Sequence, residues 1–363
     1  MRLGLVIYGS LAQQTGGYLY DRKIVEYLQA QGDQIEVLSL PWRNQVAHLG
    51  DNFSLSLLRK LSNLKVELLI EDELNHPSLV GINWLLRRRN RFVLCGLVHH
   101  LRCSEAESLQ KQWLYRTLES FFLNSLDGLI CNSRSTLSTA QALLWRKNAH
   151  SIPSVVAYPG KDHLSGGCEK EEIEKRAQRS ASLRLIFVGN LIPRKGVHWL
   201  LCALDRLRDL PFHLDIVGDE RRNVAYARSL RRWVTKRSLQ ARVRFWGAVE
   251  QSALQNLLRQ AHVMVIPSRH EGFGIAYLDG MRYGLAVIGS ACGGARELIS
   301  EGVEGFLVEP GDVAALADQL RALHSDRRRL AQMGIAARER FEQHPTWGES
   351  AAEIRRFLLS LLN

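Results

Sequence analysis

The apolar positions of this chain fall into two alternating patterns. Short runs rich in Val, Ile, Leu and Phe predict strands at 3–8, 35–38, 67–70, 92–98 and 128–131, and apolar residues at helical spacing predict helices over 17–31, 55–64 and 107–123. Strands that read as unbroken apolar runs are covered on both faces. Strand and helix alternating in this way build a parallel sheet flanked by helices, the doubly wound α/β class.

The pattern pauses after residue 160. From there to 182 glycine, polar and charged residues dominate, which predicts a first domain over 1–170 and a linker over 171–182. Alternation resumes with strands at 183–188, 212–217, 243–246, 263–266 and 286–288 and helices over 197–208, 223–236, 252–260 and 276–283, predicting a second Rossmann-like domain over 183–344. The remainder from 313 is helical and broken at His344-Pro345, because proline cannot continue the helix before it. Residues 345–363 form a last helix. Doubly wound sheets bind ligands outside the carboxyl ends of their strands, so chemistry is expected in a cleft between the two domains.

Composition changes this picture in one respect. The 363 residues, 46% hydrophobic and 23% charged, are ordinary for two globular domains and exclude a disordered or collagenous chain. The charge is less ordinary: 48 Lys+Arg against 37 Asp+Glu leave +11, which points to a polyanionic partner. No interleaved basic and aromatic pattern, zinc knuckle or helix-turn-helix signature is present, so nucleic acid is not the expected one. No apolar run approaches the roughly 18 residues that cross a bilayer. The N-terminus turns polar by Ser10 without a cleavage pattern, and a cytoplasmic protein is expected. Six cysteines without a C-x-x-C pair fit reduced thiols and no metal site.

Candidate chemistry gathers at strand ends. The strand at 183–188 is followed by Gly189-Asn190-Leu191-Ile192-Pro193-Arg194-Lys195-Gly196 and then a helix. A helix N-terminus favours an anion, and Arg194 adds a planar fork and Lys195 a mobile point charge; this suits a diphosphate, the plainer reading being a solvated loop pair. The strand at 263–266 leads into Pro267-Ser268-Arg269-His270-Glu271-Gly272-Phe273-Gly274-Ile275. Gly272 and Gly274 let backbone N–H groups approach a ligand, with Glu271 at the mouth of the turn and Asp279 eight residues on. At about 100° per residue the second carboxylate points roughly 80° from the first, so the two would grip separated hydroxyls of one ligand. The plainer reading is an acid favouring the helix dipole beside an exposed Asp279. Gly16-Gly17 opens the first helix and allows close approach, and His99-His100 closes the strand at 92–98, where an imidazole would face a ligand.

Arg87, Arg88, Arg89 and Arg91 follow an apolar stretch, 79–86, that contains Trp84. Such a segment could lie on an anionic membrane surface, as a peripheral protein at the inner face of the cytoplasmic membrane; cations matching a helix C-terminus are the alternative.

The chain resembles the retaining nucleotide-sugar glycosyltransferases of family 4, which have the GT-B fold of two facing Rossmann-like domains. The resemblance covers nearly the whole chain and is strongest from Leu185 to Gly311, in Gly189 to Gly196, Val243 to Gly247, Pro267 to Gly274, and Gly305-Phe306-Leu307-Val308 with Pro310-Gly311-Asp312. It implies that Arg194 and Lys195 neutralise the donor diphosphate, and that Glu271 with the backbone of Gly272, Phe273, Gly274 and Ile275 holds the transferred sugar and phosphate. Asp279 would bind the ribose, although the family pattern has Glu there and the side chain is one methylene shorter. Gly189 belongs to the diphosphate loop, Gly16 and Gly17 match the first glycine loop, and Val249 would contact the base. His99 matches the catalytic histidine, with His100 in place of the usual aspartate, so which imidazole acts stays open.

The function implied is transfer of a sugar from a UDP- or GDP-linked donor to a lipid, glycan or small-molecule acceptor with retention, without a bound cofactor or metal. The last helix would return to the first domain. A nucleotide-sugar epimerase of the same architecture and a non-catalytic nucleotide-sugar or glycan-binding protein are the competing readings.

Overall fold

The computed structural model describes residues 1–13, 15–88, 92–105, 108–145, 152–179 and 181–363. The chain divides into two compact units, Met1–Gly160 with Pro345–Asn363, and Lys161–His344. In the first, the described strands are β1 (Arg2–Tyr8), β2 (Gln34–Leu40), β3 (Leu68–Asp72), β4 (Val93–Val98), β5 (Gly128–Cys131) and β6 (Ser154–Val156), and the helices α1 (Gly16–Ala30), α2 (Gln45–Gly50), α3 (Leu55–Ser62), α4 (His76–Arg87), α5 (Leu109–Leu123) and α6 (Arg134–Gln141). All pair in parallel in the order β2-β1-β3-β4-β5-β6. β1 and β3 to β5 are almost wholly buried because helices cover both faces, which is why the apolar runs are unbroken.

The second unit repeats the plan. Helix α7 (Lys170–Arg179) precedes β7 (Leu183–Val188), α8 (Val197–Asp205), β8 (Phe212–Val217), α9 (Val224–Lys236), β9 (Val243–Gly247), α10 (Gln251–Gln260), β10 (Val263–Val265), α11 (Ile275–Arg282), β11 (Ala286–Ser290), β12 (Gly305–Val308), α12 (Val313–Ser325) and α13 (Arg327–Glu342). The described strands form one parallel sheet in the order β12-β11-β10-β7-β8-β9. Each sheet therefore has a point where the strand order reverses, between β1 and β3 in the first unit and between β7 and β10 in the second, and the loops leaving those strands frame a ligand position.

Three boundaries differ from the sequence expectation. The first unit ends at Gly160, so residues 161–170, expected in the first domain, belong to the second unit. The stretch 171–182 is mostly helix α7, which packs on α13 through buried Ile173 and Ala177, while Arg176 Nη2 donates to the Gly284 carbonyl at 2.6 Å. Two buried apolar residues one turn apart make too narrow a stripe to stand out in a run of charges. The helical end is three helices: Asp326 caps α13 by accepting from Arg329 N at 2.9 Å, which starts a new helix within a stretch that reads as one.

The helix α14 (Trp347–Leu362) follows the second unit in sequence and packs in the first, against α1. Thr346 and Glu349 form a reciprocal capping box at its start. Arg355 Nε donates to Asp33 at 2.7 Å, and the Trp347 ring stands edge-on to Tyr20 at 5.6 Å. Among the described residues no helix is long and apolar enough to cross a membrane.

Candidate active site

In the second unit the loops after β7 and β10, adjacent strands, meet at the reversal point. The first makes a short turn, Pro193–Lys195, and Gly196 then takes a left-handed conformation at φ 70° to start α8. Only glycine fits there: a Cβ would lie 2.0 Å from the Pro267 carbonyl oxygen of the second loop. The loops also bond directly, Arg269 N to the Arg194 carbonyl at 2.7 Å and Arg194 Nη1 to the His270 carbonyl at 2.8 Å.

This contact delivers the charged side chains to one place. Lys195 Nζ lies 2.6 Å from Glu271 Oε1, Arg194 Nη1 lies 3.9 Å from Glu271 Oε2, and the Ser268 hydroxyl donates to Oε1. Burial alone would raise the Glu271 carboxyl, but the charges of Lys195 and then Arg194 outweigh it and hold the group at about 2. A buried carboxylate braced by two cations, beside the N-termini of α8 and α11, is a preset anion site whose cations can be shared with a diphosphate.

The structure corrects the helical reckoning for Glu271 and Asp279. Glu271 lies outside a helix, in an isolated parallel bridge with Gly293, and α11 begins only at Ile275 after Gly274 turns left-handed at φ 99°. Phe273 is a core side chain near His344, so only its backbone is open to a ligand. Asp279 is buried, not exposed, with Oδ1 2.8 Å from His163 Nε2. Gly189 packs against Gly218, whose added Cβ would strike the Gly189 carbonyl, and Val249 is half-buried in the loop between β9 and α10.

In the first unit the reversal point holds a second cluster. Gly16 begins α1, and a Cβ on Gly17 would sit 3.5 Å from the His99 ring. One turn on, Asp21 Oδ1 lies 2.8 Å from His99 Nε2, while the His99 backbone N–H donates to Glu73 at 2.7 Å. Burial would lower the imidazole, but the Asp21 charge, helped by Glu73 and Asp72, outweighs it and raises His99 to about 10. His100 turns to Glu105 instead, so the two imidazoles have separate surroundings. One atom each from Asp21, Asp72 and His99 lie within 4.8 Å of one another, a spacing at which a neutral imidazole could share a small cation; the charged His99 instead supplies the positive charge there itself.

Sequence reading missed Asp21, Asp72 and Glu73. The spacing of Asp21 four residues after Gly17 was the available signal; Asp72 and Glu73 read as a polar strand end although both are buried. His163 carried no signal. Of the basic cluster, Arg89 and Arg91 lie outside the described residues, Arg88 is exposed, and Arg87 is engaged internally, donating to the Ser125 carbonyl at 3.0 Å and pairing with Asp127 at 3.2 Å.

Two parallel six-stranded α/β units, each with polar groups at its reversal point, are the GT-B architecture of glycosyltransferase structures. The fold matches a sucrose-phosphate synthase from Thermosynechococcus elongatus with a TM-score of 0.80 and 21% identity, covering 99% of this chain and 98% of that one. It matches HepE from Anabaena, solved in complex with UDP-glucose, with a TM-score of 0.75 and 18% identity over 99% and 100% of the two chains. Residues 169–340 match the family model described as glycosyl transferases group 1. A D-inositol 3-phosphate glycosyltransferase from Corynebacterium glutamicum is 26% identical over 77% of this chain and 70% of its own length. A glycogen synthase from Mycobacterium tuberculosis is 31% identical over 47% and 41%. The match to the family model lies within the second unit. Several of the curated relatives are matched over less than half their length, 41% to 46%.

Proposed function

We propose that this protein is a retaining glycosyltransferase that moves a sugar from a nucleoside-diphosphate-sugar, UDP- or GDP-linked, to a lipid, glycan or small-molecule acceptor. The observation that carries the reading is the Lys195–Glu271–Arg194 cluster at the strand reversal of the second unit. UDP and UDP-glucose in the complexes of a structural neighbour support a donor of this kind. The chain's own residues fit the electrostatic task. As the sugar–phosphate bond breaks, negative charge builds on the leaving diphosphate, and Arg194, Lys195 and the positive ends of the α8 and α11 dipoles stabilise it. Glu271 keeps both cations in place before the donor arrives and is positioned for a hydroxyl of the transferred sugar. Asp279, oriented by His163, takes the ribose. In the first unit, His99 held charged by Asp21 is a hydrogen-bond donor for the acceptor.

The test is protection against thermal unfolding by a panel of UDP-, GDP- and ADP-sugars, followed by NMR of the product anomer with the protecting donor. Protection by one base, lost in Lys195→Ala, and an unchanged anomeric configuration are expected. No protection by any of them, or an inverted product, overturns the reading.

A further inference from the structure

We infer that the first unit docks on an anionic phospholipid bilayer through the outer face of α5. On that helix Leu109, Trp113, Leu114 and Phe121 are 83%, 69%, 44% and 43% exposed. At 100° per residue they fall within about 140° of one another, so they form a single stripe. Ring contacts extend it beyond the helix: Phe121 meets Trp145 edge-on at 4.9 Å, and Trp145 stacks with Trp84 of α4 at 6.3 Å. Both tryptophans are themselves exposed, 53% and 40%. A stripe of this length is more than scattered surface apolar residues require, and three indole rings suit the headgroup layer, where one edge is apolar and the other wet.

Charge selects the occupant. Lys111 and Arg116 flank the stripe on α5 and are exposed, as is Arg88 at the end of α4. The sequence holds no acidic residue over 84–91, 108–118 or 144–150, although the whole chain has 37. A face that is apolar along its centre and carries Lys111, Arg116 and Arg88 beside it complements anionic headgroups over an acyl layer. A second copy of this chain would set the same cations against these, and like charge disfavours it. The membrane expectation thus moves from Arg87, which braces the β5 turn, to the α5 stripe.

The inference is independent of the transferase reading. The full chain is sedimented with vesicles of phosphatidylcholine alone and with about 30% phosphatidylglycerol, alongside the double variant Leu109→Ser/Trp113→Ser and the single variant Arg88→Glu. Binding to the anionic vesicles only, reduced about ten-fold or more by the double variant and several-fold by Arg88→Glu, is expected. The melting temperature and nucleotide-sugar protection of the double variant should match the parent, because both residues are exposed and lie outside the second unit. Equal binding to both vesicles, or anionic binding that the double variant leaves intact, overturns the inference. So does a chain that binds no vesicles but dimerises through Trp113, for then the occupant is a second copy.

Discussion

His163 holds Asp279 across 2.8 Å, and the segment that carries His163 is strapped down over α11. Arg282 Nε donates to the Gly166 carbonyl at 2.7 Å and the Tyr283 hydroxyl to the Ser165 carbonyl at 2.9 Å. An aspartate one methylene shorter than the usual glutamate thus has a partner that fixes its direction. Asp279→Asn should weaken UDP binding by about ten-fold or more, the value of a hydrogen bond to a charged group. His163→Ala should weaken it less, and Asp279→Glu added to His163→Ala should restore part of the loss. Calorimetric titration with UDP measures all three.

Removing Lys195 should destabilise the second unit as well as abolish donor binding. Glu271 would stay buried with the Ser268 hydroxyl and the Arg194 charge at 3.9 Å but without its close cation, a loss of about 3 kcal/mol for a broken buried pair. The wild-type carboxyl is lowered from 4.5 to about 2, so the stabilisation it contributes is present above 4.5 and is lost as pH falls toward 2. The difference in melting temperature between wild type and Lys195→Ala should therefore be wide at pH 7 and close as the pH drops below about 4.

Glu71 should behave in the opposite sense. It is fully buried on β3, and burial raises its carboxyl to about 8 against the amide of Asn83, which donates to Oε2 at 2.8 Å. A raised acid stabilises the fold fully below 4.5, and that contribution is lost as pH rises through 8. Glu71→Gln should leave the melting temperature at pH 5 nearly unchanged and raise stability at pH 9 by on the order of 2–4 kcal/mol. A pH series of thermal melts separates this from a packing effect, which would not vary with pH.

Gly196→Ala should cost more than a left-handed alanine ordinarily does, because its methyl group meets the Pro267 carbonyl as well. A loss of about 2 kcal/mol or more in urea unfolding is expected, together with weakened UDP binding, since the turn bearing Arg194 and Lys195 must move.

What could be read from the sequence follows from what each residue's neighbours demand. The central strands and long helices were legible because burial on both faces leaves unbroken apolar runs, and β4 and α9 fall within a residue of expectation. β6 is three residues long and β12 lies in a glycine-bearing motif, so neither made a run that separates strand from loop. Within the site, Arg194, Lys195 and Glu271 stood out through charge beside glycine at strand ends. Partners that come from elsewhere in the chain did not: His163 reaches Asp279 from 116 positions away in sequence, since 279 − 163 = 116, and Asp21 reaches His99 across 78.

The placement of α14 has a consequence for synthesis. Gly128 of β5 packs directly against Leu361 and Phe357, and Tyr20 and Asp33 take partners from the same helix. A ribosome adding roughly 5–20 residues per second needs about 10–40 s to make residues 161–344. For that time the nascent first unit must present its bare α1 and β5 faces to solvent or to a chaperone, so the second unit can be finished before the first one closes.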